Sequence, residues 1–149
     1  MTVTRPARGF TMVELIVVML VMGVLAAVAM PRLTDRSVLQ ERGVQDQLRG
    51  MLGYSRKLAV TQQRDVCVSI GPAQAAAVYT VGGACAAAAA VAGPGGEAAY
   101  VIAMPPGVAL GGSALVRFNA RGQPVPAANQ VITIGSLALT VNRETGLTL

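Results

Sequence analysis

One junction constrains this chain more than any other feature. A short stretch holding Arg5 and Arg8 passes through Gly9-Phe10-Thr11-Met12-Val13-Glu14 into a run without a polar side chain. Residues 15–30 comprise fifteen apolar residues and one glycine, Gly23, and Pro31 closes the run. As a helix, residues 10–30 would measure about 31 Å, close to one hydrocarbon thickness. A carboxylate beside such a segment is costly in lipid, which makes Glu14 a functional residue by default.

Three readings fit a basic stretch followed by an apolar run. The first is a cleavable secretory signal, with residues 15–26 as its core and Ala27-Val28-Ala29 as a small-x-small cleavage site. The second is an uncleaved single-pass anchor. The third is a leader ending at Gly9, cut before Phe10, with the apolar helix retained for assembly. Glu14 separates them, because neither a signal nor an anchor gains from an acid there. In a bundle of packed helices the acid has a role. The cut exposes an α-amino group on Phe10 that must be neutralised, and Glu14 of a neighbouring subunit can pair with it. Left unpaired, that charge would cost roughly several kcal/mol, so the pair favours one axial register.

The segment Gly9-Phe10-Thr11-Met12-Val13-Glu14-Leu15 resembles the processing motif of type IV pilins and type II secretion pseudopilins. The resemblance implies that a membrane prepilin peptidase removes residues 1–9 and N-methylates Phe10. It implies that Glu14 serves assembly, and that Pro31 stands where many members carry a helix-kinking proline. It places the chain in the bacterial inner membrane as a single-pass protein with its head in the periplasm, partnered by other pilins or pseudopilins and an assembly platform. Charge alone orients the chain weakly, since Arg32 and Arg36 beyond the run offset Arg5 and Arg8 before it.

The chain has 149 residues, so about 115 remain beyond the apolar segment, enough for a modest core. There is no His and no Trp. Net charge is +5; without Arg5 and Arg8 it is ten basic against seven acidic residues, or +3, too little to argue for nucleic acid. Eleven of the twelve basic residues are Arg, which reads as a compositional bias rather than a function. Cys67 and Cys85 are too few and too far apart for a zinc knuckle. In an oxidising compartment a disulfide closing a loop of about 17 residues is the default, worth about 3 kcal/mol on the chain-entropy model. Two separate buried thiols remain the alternative.

Residues 33–63 turn amphipathic, with Val44, Leu48, Met51, Leu52, Leu58 and Ala59 at three- and four-residue spacings. Gly43, Gly50 and Gly53 weaken that helix by about 1 kcal/mol each relative to Ala. Strand signals follow at Val66-Cys67-Val68-Ser69-Ile70, Val78-Tyr79-Thr80-Val81, residues 100–103, Leu115-Val116-Arg117-Phe118, residues 131–134, residues 137–141 and residues 147–149. Residues 82–99, almost all Ala and Gly, read as a surface loop, with an alanine helix over 84–92 as the rival. The chain thus divides into a leader (1–9), a transmembrane assembly helix (10–31), an amphipathic helix (32–63) and a β-rich head (64–149). The fold class is α+β, a long N-terminal helix packed on antiparallel β-sheets.

The segment Val116-Arg117-Phe118-Asn119-Ala120-Arg121-Gly122, the hairpin over 131–141 and the terminal Thr145-Gly146 are similar to the head of the GspH/FimT group of minor pseudopilins. That resemblance implies a structural subunit rather than an enzyme, with no cofactor or metal. The residues agree: without His there is no Ser-His or Cys-His nucleophile, the head carboxylates Asp65, Glu97 and Glu144 sit in loops or turns, and no GxxxxGK loop is present. Some FimT-like minor pilins bind DNA through a Gly-Arg-x-Arg element near the C terminus. Here that stretch is Gly146-Leu147-Thr148-Leu149, leaving Arg117, Arg121 and Arg143 as the residues for a DNA-binding alternative. With few aromatics for stacking, solvated arginines are the plainer reading.

Overall fold

The computed structural model describes residues 9–33 and 36–149, without the side chains at 28–37 and 87–88. The leader reading for residues 1–9 therefore lies, Gly9 excepted, outside the described residues. The chain forms two compact units, Met1–Arg36 and Ser37–Leu149. In the first, helix α1 spans Met12–Leu33. Thr11 caps it: its Oγ1 accepts from the Glu14 amide at 3.3 Å and its carbonyl accepts from the Leu15 amide at 3.2 Å. The boundary expected at 31/32 falls inside α1, whose helix continues through Pro31 to Leu33. Pro31 forgoes one backbone hydrogen bond there without ending the helix.

The head opens with helix α2, Arg36–Gln62. Val44, Leu48, Met51, Leu52, Ser55 and Ala59 are buried, one stripe at helical spacing. Gly43, Gly50 and Gly53 lie on the exposed face, where an added Cβ would meet nothing within 4 Å among the described residues. The helix ends where Gln63 takes φ 50° and the Arg64 amide reaches back to the Ala59 carbonyl at 3.3 Å, a left-handed cap that satisfies a terminal carbonyl.

Nine strands follow among the described residues: β1 (Val66–Ile70), β2 (Gln74–Val81), β3 (Ala84–Ala90), β4 (Val101–Ala103), β5 (Leu110–Gly112), β6 (Leu115–Phe118), β7 (Pro124–Val125), β8 (Gln130–Ile134) and β9 (Leu137–Val141). One antiparallel sheet runs β3-β2-β1-β6-β7, with β4 taking the first half of the β2 edge and β3 the second. A second sheet runs β5-β8-β9. Alternation sends Val66, Val68, Val116 and Phe118 of the first sheet, and Ile132, Ile134 and Leu139 of the second, into one core with the α2 stripe. Burial of those faces is the main stabilising term, at roughly 25 cal/mol per Å² of apolar surface. The architecture is α+β, a helix packed with antiparallel sheets.

The alanine-rich stretch corrects the sequence reading. Residues 84–90 are neither loop nor helix but strand β3. Alanine has the highest helix propensity, so pairing has overridden local preference. The hairpin turn is Gly82-Gly83, both at positive φ (62° and 83°), which suits the primed turns that join twisted strands. Two further short strands, β5 and β7, escaped the sequence signals because each is two or three residues long and glycine- or proline-bearing. Residues 147–149 make an isolated bridge, Val141 with Thr148, instead of a strand.

Candidate assembly helix and head surface

Over Met12–Ala27, helix α1 is apolar on every side, and its side chains are exposed around the whole circumference. Phe10 is 78% exposed, Met12 84% and Leu25 62%, and none of the large apolar residues between them is buried. A helix apolar all round needs lipid or other helices as its surroundings, and an apolar surface of this extent is an interaction surface. Among the described residues no helix is long and apolar enough to cross a membrane.

Glu14 stands at the third helical position with its side chain exposed. It makes no ion pair among the described residues. Two local effects suit an acid there. Thr11-x-x-Glu14 is the capping-box pattern, of which the Thr11 half is formed, and a carboxylate in the first turn opposes the positive end of the helix dipole. The sequence reading missed Thr11, although its spacing to Glu14 was visible. Gly9 and Phe10 precede the helix in irregular backbone, and both are exposed.

In the head, Cys67 and Cys85 are joined by a disulfide with Cα atoms 5.9 Å apart. Strands β1 and β3 are separated by β2, and in a flat sheet they would be about 9–10 Å apart. Strand β3 must therefore arch over the outer face, where its pairing with β2 shifts register between Val78 and Thr80. Burial agrees. Cys67 and its cross-strand neighbour Val78 point away from the main core, yet are 0% and 7% exposed.

Arg117 secures the same hairpin. It lies opposite Cys67 on β6, donates through Nε and Nη2 to one Asp65 carboxylate oxygen at 2.8 and 2.6 Å, and donates through Nη1 to the Gly83 carbonyl at 2.9 Å. This fork is held by the protein itself. Arg121 is exposed in the turn where Asn119 Oδ1 accepts from the Arg121 and Gln123 amides. Arg143 is exposed beside Glu144, at 3.4 Å. Of the DNA-binding trio, then, Arg117 is engaged, Arg143 has an acidic neighbour, and Arg121 carries no ion pair among the described residues.

The two glycine turns singled out in the sequence meet. A Cβ on Gly146 (φ 65°) would collide with the Gly122 carbonyl oxygen, and Arg56 of α2 donates through Nε to the Thr145 carbonyl at 2.8 Å and the Gly122 carbonyl at 3.3 Å. Arg56 thus fastens both turns to the helix, and no sequence signal pointed to it. Among the described residues no group of three or more His, Cys, Asp or Glu is placed to hold a metal ion.

The family described as the prokaryotic N-terminal methylation motif matches residues 4–30. The chain is similar to two crystal structures of the Pseudomonas aeruginosa (strain PAO1) type IV minor pilin FimU. One, in space group P65, is 16% identical with a TM-score of 0.56, covering 72% of this chain and 90% of that one. The other, in P21, is 17% identical with a TM-score of 0.53, covering 72% and 85%. No curated protein matches the chain. It carries the methylation motif of prepilin-type proteins and has the fold of a type IV minor pilin.

Proposed function

We propose that this chain is a minor pilin-type subunit, a structural component of a type IV pilus or a type II secretion pseudopilus. The observation that carries the reading is a methylation motif leading into a helix apolar and exposed on all sides, ahead of a head with a minor-pilin fold. Prepilin peptidase cuts between Gly9 and Phe10 and methylates Phe10. The subunit waits in the inner membrane through the apolar run of residues 15–30, with its head in the periplasm. The assembly platform then extracts it into a bundle of neighbouring helices. There Glu14 pairs with a neighbour's terminal amine, and burial of apolar surface supplies most of the association energy. Pro31 marks the end of the segment that resides in lipid. The mechanism involves no catalytic residue of this chain.

Mass spectrometry of the mature N terminus tests this reading. N-methylated Phe10 as the first residue is expected; a chain beginning at Met30 would replace the assembly helix with a discarded signal peptide. The DNA-capturing alternative has a weaker physical basis, because Arg117 already holds Asp65 and the Gly83 carbonyl. That alternative requires salt-sensitive retardation of DNA by the chain, lost on substituting Arg121 and Arg143.

A further inference from the structure

Three observations converge on the β2–β3 hairpin. First, β3 is built from alanines, which favour helix, yet it is held as a strand. Second, β3 arches over the outer face of its sheet, and its pairing with β2 is interrupted between Val78 and Thr80. A continuous ladder does not hold it. Third, two clamps from neighbouring strands converge on this end of the hairpin: the disulfide from Cys67 of β1 to Cys85, and Arg117 of β6 donating to the Gly83 carbonyl at the turn. Beside the hairpin lies a groove of about 410 Å³ on the outer face, walled by Cys85 and Ala90 on one side and Val101 on the other, with Ala76, Val78 and Leu115 also lining it.

We propose that Cys67–Cys85 is a redox-sensitive latch on this hairpin. Oxidised, it commits residues 84–90 to the sheet and walls the groove. Reduced, the segment leaves the sheet, and Cys67, Val78 and the groove floor become accessible, while α2 and the core it covers stay folded. A dithiol is the reductant. One of its thiolates attacks Cys85 Sγ, because Cys85 is half-buried while Cys67 is fully buried. A mixed disulfide forms and Cys67 leaves as a thiolate, which takes up a proton. The second thiolate of the dithiol then displaces Cys85, which is protonated in turn. Two cysteine thiols and one oxidised dithiol result. The latch follows from the head alone and stands whether or not the chain enters a filament.

Hydrogen–deuterium exchange on the full chain in detergent micelles tests the latch, comparing the oxidised protein with protein reduced by dithiothreitol and counted by mass as carrying two free thiols. Exchange across residues 84–90 should rise at least about tenfold on reduction, while amides of α2, β8 and β9 keep their protection. The variant Cys67→Ala/Cys85→Ala should show the same pattern without reductant. Unchanged protection of 84–90 with both thiols free would overturn the proposal. So would protection lost to the same extent in α2, β8 and β9, because the disulfide would then be holding the entire head.

Discussion

Ser55 sits in the middle of the buried α2 stripe, fully buried, and its Oγ has no hydrogen-bond partner among the described residues. An unsatisfied buried hydroxyl is destabilising, and Ser is a poorer helix former than Ala. Ser55→Ala should therefore stabilise the head by about 1 kcal/mol, read as a raised midpoint in urea at constant slope. Gly146→Ala acts in the opposite sense. It places a Cβ at φ 65° against the Gly122 carbonyl, and loss of at least about 2 kcal/mol is expected, since backbone on both sides leaves little room to yield. Glu14→Ala separates assembly from insertion: membrane insertion and cleavage should persist while incorporation into filaments fails. Normal filaments from that variant would leave the acid only its local effects at the start of α1. These residues differ in legibility. Glu14 was conspicuous because an acid beside an apolar run has a solvation cost visible in the sequence. Arg56 and Ser55 were not, because their roles depend on partners, or the lack of them, far away in the chain.

At the level of elements, α2 and most strands were legible because one face of each is buried, so burial wrote its period into the sequence. The stripe at Val44, Leu48, Met51 and Leu52 is that period for the helix, and Val66, Val68 and Ile70 are its counterpart in β1. β3 has no such pattern. Every residue from 86 to 90 is alanine, so alternation cannot be read, and what makes the segment a strand lies elsewhere: Gly82-Gly83, Cys67 and Arg117. The exposed glycines of α2 carry a different lesson. Among the described residues an added Cβ at Gly50 would meet nothing within 4 Å, so Gly50→Ala should stabilise the isolated head by about 1 kcal/mol in thermal or chemical unfolding. An equal or lower stability would mean that this helix face has contacts within the head that its exposure conceals.

At the scale of the whole molecule, the chain divides into two compact units, Met1–Arg36 and Ser37–Leu149. Among the described residues, every core residue is numbered 44 or higher and so belongs to the second unit. The head thus has a core of its own, built from α2 and the two sheets. A fragment comprising residues 37–149 should be soluble and monomeric by size-exclusion chromatography and unfold in one cooperative transition. In the same detergent buffer, the full chain should show a head transition within about 2 °C of the fragment, because the fragment keeps every described core residue. A fragment that aggregates or unfolds without cooperativity would show that α1 completes the head. The two units would then have to be treated as one folding body.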